Sequence, residues 1–150
     1  MGLVELAAIR ADSVNLPLFL HVLGAFTLIG AVTLALLVLI GGWRSGSAQS
    51  NRLAFRSLLW AAIPAWLVMR LSAQWLLDEQ GLEDAEFAWI EIGFIAAEPF
   101  FLLLVIATVI TGRRKSKDGP SVGARIATGF VAASLIAYLV ALWAMSTKPV

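Results

Sequence analysis

Leu16–Ile40 reads LPLFLHVLGAFTLIGAVTLALLVLI, 25 consecutive residues whose only ionisable side chain is His21. A bilayer's hydrocarbon core, about 30 Å thick, is crossed by about 20 mostly apolar helical residues. The stretch is long enough to span. It is too long for a cleavable signal, and acidic rather than basic residues precede it.

Three further stretches have the same character. Leu53–Leu77 carries Arg56 near its start and Arg70 inside, Phe87–Ile110 carries Glu91 and Glu98, and Ile126–Met145 carries no ionisable group. A water-soluble four-helix bundle would show polar outer faces, and these segments have none. The expected fold is therefore all-α: one membrane domain over residues 1–150, with four transmembrane helices.

Composition agrees. Of 150 residues 60% are hydrophobic and 14% charged, against about 25% charged in an ordinary soluble domain. A net charge of +1 supplies no field to gather nucleic acid. The chain has no cysteine, which excludes disulfides, thiolate metal sites and a thiol nucleophile. With one histidine, a catalytic triad would have to be built around His21, and a multi-histidine cage cannot form within one chain. Ser72 and Ser134, the serines inside spans, have no histidine at a readable spacing, so catalysis is not expected.

Basic residues near span ends set the expected orientation. Arg44, Arg52, Arg56, Arg113, Arg114, Lys115, Lys117 and Arg125 lie on one side, against Arg10 and Lys148 on the other. Both termini are thus expected on the non-cytoplasmic side. The connection there is acidic throughout, with Asp78, Glu79, Glu83, Asp84 and Glu86. Trp43, Trp75, Trp89 and Trp143 fall near span ends, where amphipathic rings favour the interface. Residues 1–15 read either as a short helix lying in the outer interface or as a frayed end.

Charged groups inside a membrane are costly and usually face a bundle interior, a cavity or a partner. The helical rise puts His21 roughly 8 Å, Arg70 roughly 10 Å, Glu91 about 6 Å and Glu98 about 17 Å below the outer boundary. Gln74 lies one turn beyond Arg70 on the same face. The expected site is a buried cluster of His21, Arg70, Gln74, Glu91 and Glu98 in the outer half of the membrane. Asp84, Glu91 and Glu98 share a helix face and read as acidic steps toward the midplane. One arginine neutralises one carboxylate; the second leaves a negative charge that a proton, a cation or a protonated His21 would balance. The same set also reads as a lock between helices.

Two prolines interrupt the spans. Each removes a backbone donor: Pro99 is expected to kink the third helix and free a carbonyl around Ile95, and Pro64 to free that of Trp60. Such breaks recur at transporter sites and also in helices that merely bend. In the fourth span Gly129, Ala133, Ala137 and Ala141 form a strip of small side chains suited to close packing, within the chain or against another subunit. Thr27, Ala31 and Ala35 form a related strip in the first.

His21 has three readings: a proton carrier, a metal or haem ligand, or a packing residue. Copper favours His with Met, but Met69 and Met145 stand at no recognisable spacing from it.

Phe19-Leu20-His21-Val22-Leu23-Gly24 resembles the opening of copper-resistance D-type membrane proteins and of small bacterial membrane proteins of unknown function related to them. Trp143-Ala144-Met145-Ser146-Thr147-Lys148-Pro149 resembles the closing motif of the latter. The resemblance implies the inner (plasma) membrane of a bacterium and, in the copper-resistance proteins, copper uptake with His21 at the outer entrance. This chain is half their usual size or less and poor in Met and His.

Three functions follow as expectations. The first is transport of an ion (a proton or metal cation) or of a small solute through the polar cluster. The second is an accessory subunit docking on a larger membrane complex, or a homo-oligomer. The third is an anchor for haem or quinone.

Overall fold

An apolar segment without water must satisfy its backbone internally, which a helix does. The computed structural model describes residues 12–45, 47–81, 88–113 and 122–147, and its regular structure there is helical throughout. Helix α1 is Asp12–Ser45 and α2 is Ala48–Ser57. A π-helical turn, Leu58–Ala62, joins α2 to α3, Ile63–Gln80. Helix α4 is Ala88–Arg113 and α5 is Val122–Ser146. With α2 and α3 forming one rod, four helices among the described residues are long and apolar enough to cross a membrane. Each continues past the C-terminal end of the apolar stretch that marks it in the sequence. The reading of residues 1–15 as an interfacial helix falls mainly outside the described residues. Residues 12–15 belong to the first turn of α1.

The core runs along α1. Leu28, Val32, Ala35 and Leu39 recur at three- and four-residue spacing and are buried, together with Ala54, Leu58, Ala62 and Ala65 of the second rod. Leu104 and Ala107 of α4 and Ala127 and Val131 of α5 complete the cluster. Outside stand Phe26, Trp60, Leu71, Ile95, Ile136 and Trp143, all exposed. That inversion of a soluble surface suits lipid.

Without a hydrophobic drive between helices, close packing and interhelical hydrogen bonds must hold the bundle. Ser57 Oγ donates to the Ala31 carbonyl at 2.8 Å, and Ser134 Oγ to the Phe100 carbonyl at 3.0 Å. Trp66 Nε1 donates to the Ala97 carbonyl at 3.1 Å, and its ring stacks on Phe101 with centroids 3.8 Å apart. Gly24 is a contact point: a Cβ there would lie 2.8 Å from the Met69 backbone nitrogen. Helix α3 ends on Gly81, at φ 62°, whose N–H returns to the Asp78 carbonyl; a left-handed residue is what this cap requires.

The two prolines act differently. A π-helical turn precedes Pro64, whereas α4 continues through Pro99 without interruption. The small-residue strip of α5 does not keep to one face. Gly129 is exposed with open space around it, Ala133 and Ala141 are half-buried, and Ala137 is buried. A four-residue step overshoots a helical turn by about 40°, so the strip winds from the surface into the core.

Candidate functional site

At the end of the bundle where α3 finishes and α4 begins, all four rods surround a cavity of about 330 Å³. Its walls are almost wholly apolar, with Leu18, Leu77, Trp89, Ile90, Phe94 and Leu142 among them. Five lining side chains break that pattern: Gln80 and Ser146, the last residues of α3 and α5, and three within the helices, His21 from α1, Arg70 from α3 and Tyr138 from α5.

Packing brings these three to one cavity. His21 Nδ1 lies 3.0 Å from the Met69 carbonyl, and Gly24, one turn along the same face, abuts the Met69 backbone. Arg70 follows Met69 and reaches Glu98 on α4, Nη2 to Oε1, at 3.4 Å. On α5, Ser134 bonds to Phe100, and Met145 Cε lies against Gly93. Tyr138 falls between these two contacts along α5. Trp66 closes the space between α3 and α4 where it bonds Ala97 and stacks on Phe101.

A carbonyl only accepts, so His21 Nδ1 carries the hydrogen and donates it to Met69. In the neutral ring Nε2 is then bare, able to accept a hydrogen bond or to ligate a cation. The Arg70 guanidinium packs over the Phe94 ring, 4.5 Å from its centroid, and Nη1 reaches Gln74 Oε1 at 3.4 Å. Both Arg70 hydrogen bonds are long, which leaves the guanidinium weakly held. The Tyr138 hydroxyl is buried and has no hydrogen-bond partner among the described residues.

The expected five-residue cluster is divided. His21 and Arg70 line the cavity; Glu91, Glu98 and Gln74 do not, and all three are exposed side chains. Glu98 keeps 59% of its side-chain surface exposed even while paired with Arg70. The inward face of α4 is instead the small one, Gly93, Ala96, Ala97 and Ala107. Close packing on these residues turns the carboxylates outward. A polar line does exist, but it follows α3: Glu98 meets Arg70, Arg70 meets Gln74, and Gln74 Nε2 donates to Asp78 Oδ1 at 3.1 Å. Asp84, the expected outermost acidic step, lies outside the described residues.

The fold also joins what sequence spacing kept apart. Met69 and Met145 line the same cavity as His21. Tyr138 escaped the sequence reading because its ring is as apolar as its surroundings; as the chain's single tyrosine, it was the one signal in that span. Among the described residues no group of three or more His, Cys, Asp or Glu side chains is arranged to hold a metal ion. Compared with known proteins, the chain matches no family model, no curated protein and no solved structure.

Proposed function

We propose that this chain is a multi-pass membrane protein that binds a small lipid-soluble solute in the four-helix cavity, as part of its passage across or along the membrane. The cavity carries the reading. It is a concave, mostly apolar space with a few convergent polar groups, the form that small-molecule sites take. At about 330 Å³ it is near the lower end of the range of such sites. If the bias of basic residues sets the orientation, its mouth faces the non-cytoplasmic side, with both termini. The exposed positions of Glu91 and Glu98 favour the solute over an ion path along α4.

The test uses bromooctanol, whose bromine quenches tryptophan, and Trp89 in the cavity wall as reporter. Saturable quenching is expected in the purified chain and should be lost in Ala73→Phe, which fills the cavity. Quenching that rises linearly in both proteins overturns the reading.

A second reading rests on one observation, that His21, Met69 and Met145 share the cavity. Imidazole with two thioethers suits copper(I), a soft cation, here as cargo. Competition for copper(I) against a coloured chelator tests it: one ion per chain, lost in His21→Ala, supports the reading. No uptake from the chelator ends it.

A further inference from the structure

Resting on the solute reading above, we infer that the cavity takes a neutral, lipid-soluble carbonyl compound of the quinone type, with Tyr138 donating a hydrogen bond to one of its oxygens.

Tyr138 has only 5% of its surface exposed, and its hydroxyl meets no acceptor. A buried hydroxyl without a partner is costly, and most such groups find one. Tyr138 lines the cavity, and among the described residues nothing bonds its hydroxyl; a shift of the ring toward the cavity would bring that hydroxyl to an acceptor that enters it. On the facing helices Arg70 retains unused N–H groups, and His21, whose Nδ1 is held by the Met69 carbonyl, has Nε2 left over. The floor thus offers two donors and one acceptor on three sides of a space with aromatic walls, Phe94 and Trp89.

Charge chooses between ligand classes. Arg70 is already paired with Glu98, and Glu91 adds a negative charge on the same helix. A carboxylate entering beside that pair would bring unbalanced negative charge into a medium that disfavours it. A neutral ligand with carbonyl oxygens incurs no such cost. It uses the free hydroxyl of Tyr138 and the spare donors of Arg70, and its flat ring suits Phe94 and Trp89. A reduced, hydroxyl-bearing form would also find an acceptor in His21 Nε2. The chain has no cysteine, and the inference concerns binding alone, with no electron transfer.

The full chain in detergent micelles is titrated with decylbenzoquinone, following tryptophan quenching, alongside Tyr138→Phe and with lauric acid as the anionic comparison. Quenching should saturate at one quinone per chain, and Tyr138→Phe should weaken binding about five- to tenfold, the loss of one hydrogen bond. In the wild-type chain alone, difference infrared spectroscopy should show a quinone carbonyl stretch moved to lower frequency, whatever the variant's fold. Equal affinity in wild type and Tyr138→Phe, an unmoved carbonyl stretch, or tighter binding of lauric acid each overturns the inference. If bromooctanol still saturates in that case, the cavity reading survives. If it too fails, both fall.

Discussion

Gly24→Ala tests whether the approach of α1 to α3 positions His21. The added Cβ would stand 2.8 Å from the Met69 nitrogen, 3.0 Å from the Ala65 carbonyl oxygen and 3.0 Å from Met69 Cα. All three are backbone atoms, so no rotamer change relieves the clash. Carbon contacts are comfortable only near 3.5–4.0 Å, so the helices must part by about 0.5–1 Å. The 3.0 Å bond from His21 to the Met69 carbonyl would stretch beyond hydrogen-bonding range. Overpacking of this kind costs about 1–3 kcal/mol, a fall in melting temperature of very roughly 5 °C. The chain's single histidine makes a clean second readout. In ring nitrogen NMR the wild type should show Nδ1 protonated and hydrogen-bonded, and the variant should lose that signature. Gly30→Ala is the control, since a Cβ there meets nothing within 4 Å; it should be neutral or slightly stabilising. An unchanged melting temperature and an unchanged imidazole signal in Gly24→Ala would refute the reasoning.

Three further outcomes follow from the packing. Leu104→Ala removes a side chain that is 0% exposed and should cost about 2–5 kcal/mol, whereas Leu102→Ala, at 59% exposed, should stay within about 0.5 kcal/mol; denaturation in detergent compares them. Tyr138→Phe in the ligand-free protein should raise stability by about 1 kcal/mol, because it removes a buried hydroxyl that bonds to nothing. A lower melting temperature would mean the hydroxyl has a partner. A double-mutant cycle on Arg70→Gln and Glu98→Gln should return a coupling of about 1 kcal/mol or less, since a single 3.4 Å contact with a 59% exposed carboxylate is a weak pair. A coupling above about 3 kcal/mol would show that the two act as a buried pair.

The four rods were legible because span length depends on composition alone, and composition is printed in the chain. Which way each rod faces was not. Glu91 and Glu98 are seven residues apart and share a face, but that spacing is silent on whether the face looks in or out. The deciding signal lay beside them, in Gly93, Ala96 and Ala97. A lipid-immersed helix turns its small residues inward because close approach is what holds it, and the carboxylates are carried to the other side. The same physics hid Gly24, whose importance lies in backbone atoms 45 positions along at Met69. It also hid the meeting of His21, Met69 and Met145, which depends on three helices arriving at one depth. His21 and Arg70 were legible because an ionisable side chain in an apolar run is conspicuous whatever the packing. Tyr138 was not, because a phenol is conspicuous only once its neighbours are known.

The cavity follows from where the bundle is tight and where it is not. Below the floor, Ala54, Leu58 and Ala62 lie against α1, and Ser57 bonds across to Ala31. Between α3 and α4 the contacts gather at two side chains, Trp66, which bonds Ala97 and stacks on Phe101, and Arg70, which bonds Glu98 and covers Phe94. Trp66 is large, 9% exposed and doubly fixed, so it acts as a strut that holds the two helices at a set distance. Beyond it, among the described residues, the long Arg70 contacts reach across, and the cavity opens between the two helices. Trp66 as a strut and Arg70 as a weak clasp bound the cavity between α3 and α4. The polar groups sit where those regimes meet. On the solute reading, the apolar walls would hold the tail of such a molecule and Tyr138, His21 and Arg70 its head, so the head rather than the tail decides whether it stays.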